Sequence, residues 1–496
     1  MTTVERPLRE SAVPSWTHRT DVLVIGYGGA GSSAALEAAR AGAAVTILEV
    51  ASGGGGTTAM CGGHVYCGGG TPVQQACGFP DSAEDLYRFL VGSTPFQDEE
   101  KARLYAEHSA QHFAWLESQG VPFERSYYPQ RHSLQPDARC LIFTGNEKVW
   151  PFSETARPAP RGHKAAGEGD AGHLIMKALM AQVDRLPIEK RYDTSVDRLI
   201  VDDDGRVVGA AGHHFGQRVH YRADKGVILT AGGFIMNHPM VASHIPDLAR
   251  DIIDHGSVYD DGSGIQLGLS VGGAAIHMSE YFITLPFYPP EKLTYGLLVN
   301  RHGQRFVNED SYHARIGRTA LQQTDHVVYL IVDDSCFGLP DINQFVHQMP
   351  RTDLSIEHIA TEDSVADLEA SLGLPCDTLQ QTVALYNANA SQGEDPLFHK
   401  HPEWLRPLDA PPYAAFDLSL GKAPYLAFTL GGLSTRATGE VLDDRGEVVT
   451  GLYAAGRNSC GLPRSADGYA SGLSVGDATF FGRLAGRQAA LTPSRV

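Results

Sequence analysis

The sequence predicts an α/β fold in which a domain built on a parallel β-sheet is interrupted by a second, α+β domain. Two observations place the ends of the chain in one domain: a strand–glycine turn–helix–strand pattern near the N-terminus, and a strand ending in glycine near the C-terminus. A third observation, the length of 496 residues, predicts more than one domain because a single domain usually has roughly 100–200 residues. With no internal repeat or low-complexity linker, residues 276–413 are predicted to be inserted between 17–275 and 414–496.

The first ordered elements are predicted to form a βαβ unit. Asp21 to Ile25 is an apolar run followed by glycine, which is typical of a buried parallel strand. Ser32 to Ala41 is alanine-rich with a helical pattern, and Ala44 to Leu48 is apolar again. Farther along, two segments with alternating apolar residues, Ser195 to Val201 and Arg206 to Ala211, are separated by an acidic turn. This pattern predicts a β-hairpin.

The turn between the first strand and helix, Gly26 to Gly31, fits the G-x-G-x-x-G pattern of a Rossmann-type dinucleotide-binding domain. Its glycines let the backbone approach a pyrophosphate, and the N–H groups at the helix start face its charge. Glu49 ends the second strand 18 residues after Gly31, near the position of a ribose-binding acid. This context favours a dinucleotide site over a glycine turn that merely packs helix on strand.

Several features favour FAD over NAD as the dinucleotide. The glycine pattern lies near the N-terminus, and a second strand-plus-glycine pattern, Gly451 to Gly456, lies near the C-terminus. Residues 53–70 contain nine glycines and are predicted to be a loop that offers bare backbone to a flat isoalloxazine ring. Together these features describe a cofactor that extends over the whole first domain.

Composition excludes several functions. The chain carries 40 Lys and Arg against 58 Asp and Glu, a net charge of −18 without a basic run, so neither nucleic acid nor an anionic membrane surface is an expected partner. No segment reaches the roughly 18 apolar residues of a membrane span, and the N-terminus lacks a secretory apolar region. We therefore expect a cytoplasmic protein whose residues 1–20 are a poorly ordered leader and whose seven cysteines are reduced.

Cys61, His64 and Cys67 form the one arrangement that suggests a metal site. The spacing C-x₂-H-x₂-C does not match the common zinc patterns, and no second pair of ligands follows. We therefore predict no metal and assign these residues to loop packing. Covalent attachment of a flavin to His64 is the alternative.

Segments spread over nearly the whole chain resemble the superfamily of fumarate reductases and 3-ketosteroid dehydrogenases. The matching segments are Gly26 to Gly31 with Glu49, Gly53 to Gly63, Ala231 to Phe234, Asp261 to Gly264, Gly303 to Glu309, Gly431 to Leu433 and Gly451 to Gly456. Within the superfamily, Val307 to Tyr312 and Gly468 to Gly472 are most similar to the 3-ketosteroid Δ4-(5α)-dehydrogenases. That resemblance implies oxidation of the C4–C5 bond of a 3-keto-5α-steroid, with an external electron acceptor.

The glycine patterns and the resemblance together predict the residues that bind FAD. They are Gly26, Gly28, Gly29, Ala30, Gly31, Glu49, Val50, Ala51, Thr57, Thr58, Gly62, Gly63, Val196, Ala231, Gly232, Gly262, Gly456, Arg457, Gly472, Leu473 and Ser474.

The resemblance also implies three catalytic residues. Tyr469 would donate its phenolic hydrogen to the C3 ketone, Ser471 would take the C4 proton, and Tyr312 would pass that proton toward solvent, while N5 of the flavin accepts hydride. A serine hydroxyl is a weak base, so it must be coupled to another group such as a tyrosine. Ser471 is also expected to cap a helix that begins at Gly472 to Ser474 and points its N-terminus at the flavin.

Two kinds of alternative remain. A Δ1-dehydrogenase or an enoate reductase would run the same chemistry on another bond, and a flavin-binding sensor or assembly factor would show no turnover. Fumarate reductases of the superfamily use an arginine proton donor, whereas this chain presents Tyr312 after Asn308-Glu309; Arg315, Arg318, Arg457 and Arg464 are still available for a dicarboxylate. The stretch Tyr281 to Tyr288 fits either protein core or the wall of a flat apolar pocket.

Overall fold

The computed structural model describes residues 4–248, 250–285, 287–341 and 355–493. Its central element is a mixed sheet, called here the large sheet, to which nine strands of the described residues belong. Seven of them follow in the spatial order Leu8–Arg9, Thr194–Val201, Val207–His214, Gln217–Leu229, His18–Ile25, Val45–Leu48 and Ile188–Arg191. Val448–Ala454 pairs with Gln217–Leu229, and Glu440–Leu442 pairs with Val448–Ala454.

The predicted βαβ unit is confirmed at the centre of this sheet. His18–Ile25 pairs in parallel with Val45–Leu48 at one edge and with Gln217–Leu229 at the other, so it is an interior strand, and its apolar residues are buried. The helix Gly29–Arg40 connects the first two strands and packs on the helix Leu473–Leu491. The C-terminal glycine pattern thus returns to the sheet that the N-terminal one begins.

Smaller sheets stand beside the large one. Four strands pair in the order Leu297–Asn300, Val328–Asp333, Tyr413–Asp417 and Glu357–Glu362. The others are Ile253–Asp254 with Leu426–Thr429 and Tyr281–Thr284; Ala275–Ile276 with Gly432–Leu433; and His64–Tyr66 with Gly162–Lys164 and Leu141–Ile142. The remaining α-helices are Gly56–Met60, Pro72–Ala76, Ala83–Gly92, Glu99–Ser118, Phe152–Thr155, Gly172–Val183, His238–His244, Ser263–Ser270, His313–Leu321, Val365–Ser371 and Thr378–Ala390.

The bounds 276–413 of the inserted domain stay a prediction. The four-stranded sheet lies mostly within those bounds, although Tyr413–Asp417 crosses the last of them. Leu426–Thr429, which follows the bounds, pairs with Tyr281–Thr284, which lies inside them. The two predicted domains therefore share a sheet.

Two local predictions were wrong, both because pairing with distant segments orders the chain. In the predicted leader, whose residues 1–3 lie outside the described residues, Leu8–Arg9 pairs in parallel with Ile200 and Val201, and His18 already belongs to the central strand. In the predicted glycine loop, Gly56–Met60 is helical and His64–Tyr66 pairs with a strand about a hundred residues later. The hairpin Thr194–Val201 with Val207–His214 is confirmed.

All seven cysteines are free. The helices found in the described ranges are either too short or too polar to cross a bilayer.

Candidate active site

A cavity of about 490 Å³ opens at the carboxyl ends of the parallel strands His18–Ile25 and Gln217–Leu229. All the predicted FAD-binding residues line it except Gly31, Gly262 and Leu473, and the three predicted catalytic residues line it as well. The sequence-predicted residues therefore converge on one space, although their contacts with a cofactor stay a prediction.

The three exceptions lie next to the cavity and support its walls. A Cβ atom on Gly31 would be 2.0 Å from the carbonyl oxygen of Gly26, so this glycine lets the helix approach the turn. Gly262 is the N-cap residue of the helix Ser263–Ser270, in a left-handed conformation with φ of 76°. Leu473 is the first residue of the C-terminal helix, and its side chain is buried in the core.

We expect Gly31→Ala to lower the free energy of unfolding by about 1–3 kcal/mol, because the added methyl group has no room beside Gly26 and Thr230. The displaced turn should also lower the FAD content of the purified protein. Gly53→Ala is the matched control for stability only, since a Cβ there meets no protein atom within 4 Å while Gly53 itself lines the cavity. Denaturant unfolding measures the stability and the ratio of flavin to protein absorbance measures the FAD content; equal free energies of unfolding for the two variants would contradict the packing role of Gly31.

Two helices begin at the cavity with glycine N-caps, Gly28 for Gly29–Arg40 and Gly472 for Leu473–Leu491. Neither N-cap has a side chain to satisfy the first N–H groups of its helix, so these groups and the positive end of the helix dipole suit a negatively charged ligand. Gly472 has φ of 93°, and a Cβ on it would be 2.7 Å from the backbone nitrogen of Tyr66. The sequence prediction that a helix begins here is confirmed.

Glu49 is a carboxylate in the wall of the cavity. It accepts backbone hydrogen bonds from Tyr27 and Ala51, each at 2.8 Å, which hold it at the end of its strand. Burial raises its pKa. This is the position at which the sequence predicts a ribose-binding acid.

Arg457 is a second group that fits a dinucleotide. Its Nη2 donates to Asp260 Oδ2 at 2.5 Å, and the same oxygen accepts the Thr57 hydroxyl at 2.7 Å. Among the described residues, its buried Nη1 finds no hydrogen-bond partner, so one donor remains for an anionic group in the cavity. Glycine-lined walls, two helix N-termini with glycine N-caps and this donor form a cradle that fits the pyrophosphate of FAD.

Tyr312, Tyr469 and Ser471 lie together at one end of the cavity. The Tyr312 hydroxyl and Ser471 Oγ are 2.5 Å apart, a hydrogen bond in which either atom can be the donor. The Tyr469 ring is stacked near that of Tyr312, with centroids 6.5 Å apart, and its hydroxyl is 2.8 Å from Ser474 Oγ. Two phenols and one alcohol are thus gathered beside the predicted flavin site.

Backbone contacts fix the hydrogen-bonded pair. The Tyr312 N–H donates to Asn146 Oδ1 at 2.6 Å, and the Ser471 N–H donates to the Thr144 carbonyl at 2.9 Å. The sequence predicts that Ser471 caps the C-terminal helix, and this prediction is wrong. Gly472 occupies the N-cap position. The Ser471 hydroxyl is instead free to pair with Tyr312.

Burial sets the protonation states in this part of the site. It raises the pKa of Tyr312 well above the ordinary value and that of Tyr469 to about 12, so both phenols are protonated at neutral pH. The His313 ring lies 3.9 Å from the Tyr312 ring and forms a hydrogen bond with the Thr284 hydroxyl. Burial, with a contribution from Arg131, lowers the pKa of His313 to about 3, so this imidazole is neutral.

Aromatic rings form the wall around Tyr469. Phe282 and Phe428 stack with centroids 4.5 Å apart, and the Tyr469 ring lies 4.6 Å from Phe282. Both interpretations of the stretch Tyr281 to Tyr288, core and pocket wall, therefore apply to it: Phe282 lines the cavity, whereas Ile283 is fully buried. A flat apolar ligand fits such a wall.

Several residues of the cavity wall were not predicted from the sequence. Asp260, His255, Phe428 and His313 are the clearest examples. Asp260 directly precedes the Asp261 to Gly264 motif, so its position beside a glycine turn was a usable signal. The other three lie in strands, loops or helices without a distinctive local pattern.

The arginines available for a dicarboxylate are engaged elsewhere, apart from Arg457. Arg315 donates to the Trp150 carbonyl, Arg318 to Glu280 and Arg464 to the Phe96 carbonyl, and none of these three arginines lines the cavity. Of these four arginines, Arg457 alone lines the described cavity wall, so they do not form a set of cations there that would hold a dicarboxylate.

Cys61, His64 and Cys67 each have a partner other than a metal. The Cys61 thiol donates to the Thr58 carbonyl, His64 pairs with Gln135 at 2.6 Å, and Cys67 is fully buried near Tyr105. Burial lowers the pKa of His64 to about 4. These contacts agree with a packing role.

Comparison with known proteins identifies the family. Residues 21–471 match the model of the FAD binding domain family. The structure superimposes, with a TM-score of 0.90 and 40% identity, on a 3-ketosteroid-Δ4-(5α)-dehydrogenase from Rhodococcus jostii RHA1 in complex with 4-androstene-3,17-dione; the match covers 98% of this chain and 100% of that one.

Two curated proteins are also similar along most of their length. A 3-oxo-5-alpha-steroid 4-dehydrogenase of Comamonas testosteroni is 29% identical, over 89% of this chain and 93% of its own. A fumarate reductase (cytochrome) of Shewanella frigidimarina is 28% identical, over 97% of this chain and 79% of its own. The chain therefore belongs to the FAD binding domain family and is an FAD-dependent oxidoreductase.

Proposed function

We propose that this protein is a 3-ketosteroid Δ4-(5α)-dehydrogenase, which introduces a C4–C5 double bond into a saturated 3-keto-5α-steroid. The observation that carries the proposal is the hydrogen bond between Tyr312 and Ser471, next to the phenol of Tyr469 and an aromatic wall. The steroid bound in the Rhodococcus jostii structure and the activity named for the Comamonas testosteroni protein support this substrate class.

Tyr469 is the group that binds the ketone. A proton on C4 becomes acidic when the C3 oxygen is stabilised as negative charge develops on it, and a phenol with a pKa of about 12 is a protonated donor at neutral pH. The Phe282 and Phe428 rings beside it orient a flat steroid and exclude water.

Ser471 takes the C4 proton and Tyr312 assists it. An isolated serine hydroxyl is too weak a base, so it must pass its own proton on as it accepts that of the substrate. The 2.5 Å contact with Tyr312 provides the partner for that transfer. When bound, FAD supplies the acceptor for the hydride that leaves C5.

The proposal includes an external electron acceptor, because an oxidised substrate leaves two electrons that must be removed before the next turnover. The cytoplasmic location expected from the sequence remains part of the proposal.

Anaerobic titration of the FAD-containing protein with a saturated 3-keto-5α-steroid tests the function. We expect the absorbance of oxidised flavin to disappear with the first equivalents of steroid. A 3-keto-4-ene steroid is the matched control, because its C4–C5 bond is already unsaturated and it can reduce the flavin only through Δ1 chemistry.

The remaining alternatives give different results in the same experiment. Bleaching by the 3-keto-4-ene steroid would indicate a Δ1-dehydrogenase, and rapid reoxidation of the reduced protein by fumarate would indicate a fumarate reductase. If no steroid bleaches the flavin and no unsaturated acid reoxidises the reduced flavin, the protein is a flavin-binding protein without this activity.

A further inference from the structure

A second cavity, of about 70 Å³, adjoins the candidate active site. Tyr312 lines both cavities. The small cavity is also lined by His401 and Glu403, whose side chains are 42% and 45% exposed. It therefore connects the predicted relay residue with side chains at the protein surface, and a polar space of this size has room for water.

Tyr312 needs a proton acceptor beyond itself. Because its phenol is protonated at neutral pH, it can take the proton of Ser471 only by releasing its own. In the described part of the chain, the hydroxyl of Tyr312 has Ser471 as its hydrogen-bond partner and no other. The next acceptor must therefore be reached through water.

Two buried carboxyl groups line the small cavity, and only one has a free oxygen. Both oxygens of Glu147 are used, Oε1 by the Tyr66 hydroxyl at 3.1 Å and Oε2 by the Gly145 N–H at 2.9 Å. Asp310 is 5% exposed, and its Oδ2 accepts the His401 N–H at 2.9 Å. Its buried Oδ1 has no partner among the described residues.

Charged residues of both signs surround Asp310. Arg131 also lines the small cavity, and Lys400, which does not line it, forms an ion pair with Glu309 at 3.3 Å. Arg131 and Lys400 lower the pKa of Asp310 and Glu309 raises it, but burial is the largest influence and the pKa is raised overall. A carboxyl group whose pKa lies closer to neutral pH both accepts and releases a proton more readily at that pH.

We propose that Asp310 accepts the proton that Tyr312 releases, through water in the small cavity, and passes a proton to solvent past His401 and Glu403. This inference rests on the function proposed above. The C4–H bond breaks and its electron pair forms the C4=C5 bond as hydride leaves C5 for the redox cofactor. The C4 proton goes to Ser471, the Ser471 proton to Tyr312 and the Tyr312 proton to Asp310.

Two substitutions separate proton transfer from folding. Asp310→Asn keeps an oxygen that accepts the His401 N–H but removes the base, and Asp310→Ala opens space for a small carboxylate. We expect each to lower steady-state turnover of a saturated 3-ketosteroid by about a hundredfold, with unchanged FAD content. Added formate should restore part of the turnover of Asp310→Ala and leave the wild type unaffected. Asp333→Asn is the matched control, because this buried aspartate lines neither cavity.

Turnover of Asp310→Asn near the wild-type value would overturn the inference. So would a loss of turnover in Asp310→Ala that formate does not restore although FAD content and melting temperature are unchanged. If the wild-type protein itself fails to oxidise the steroid, the proposed function is wrong, and that result is distinguishable from an effect confined to the Asp310 variants.

Discussion

Tyr469→Phe is expected to lower turnover of a saturated 3-ketosteroid by about a hundred- to a thousandfold, the usual cost of removing one donor to a developing oxyanion. The ring remains, so its contacts with Phe282 and Phe428 should persist. Only the hydroxyl is lost, and with it the hydrogen bond to Ser474. Steady-state kinetics, with flavin bleaching in a single turnover, measure the effect on the chemical step.

The control for this substitution is Tyr425→Phe. Tyr425 is fully buried outside the cavity, and its hydroxyl donates to the Leu418 carbonyl at 2.8 Å, so its loss removes a hydrogen bond of similar kind without touching the site. We expect Tyr425→Phe to lower stability by about 1 kcal/mol and to keep turnover. Near-wild-type single-turnover bleaching by Tyr469→Phe would contradict the assignment of Tyr469 as the ketone-binding group.

The parts of the site that depend on local backbone chemistry could be predicted from the sequence. Gly26 and the helix start that follows it require a strand, a turn and a helix in direct succession, and each leaves a signal within a few residues. The same is true of Glu49 at the end of the next strand. These residues line the cavity, as their pattern predicts.

The contact on which the proposed reaction depends, between Tyr312 and Ser471, could not be predicted in this way. Tyr312 and Ser471 are 159 residues apart, and their neighbourhood follows from family resemblance rather than from any spacing in the chain. Phe428 reaches the cavity because its strand pairs with Tyr281–Thr284, again a tertiary pairing. Sequence periodicity reports which face of a strand is buried, but not which distant strand lies beside it.

The error in the glycine-rich segment has the same origin. Nine glycines in residues 53–70 lower the local preference for helix and strand, yet Gly56–Met60 is helical where it packs on Gly172–Val183. A Cβ on Gly172 would be 2.3 Å from the Thr58 carbonyl oxygen, so glycine at that site permits the close approach. Tertiary packing can override weak propensity in a short element.

Ser471→Ala is expected to have an effect at least as large as that of Tyr469→Phe, a loss of about a hundred- to ten-thousandfold in turnover. Tyr312 does not replace it, because in the proposed relay the Tyr312 hydroxyl accepts the proton of Ser471 and does not meet the C4 proton itself. Tyr312→Phe should lower turnover less than Ser471→Ala if Ser471 is the group that meets the C4 proton. Exchange of the C4 protons with deuterated solvent, followed by mass spectrometry, reports proton removal separately from hydride transfer.

Ser459→Ala is the matched control for that comparison, because the Ser459 hydroxyl donates to the Gly456 carbonyl at 3.0 Å and Ser459 does not line the cavity. It should retain turnover. Exchange at C4 in Ser471→Ala at the wild-type rate would assign proton abstraction to another group. A smaller loss of turnover in Ser471→Ala than in Tyr312→Phe would reverse the order of the two residues in the relay. The reason is that the residue in contact with the substrate carries the larger share of the barrier.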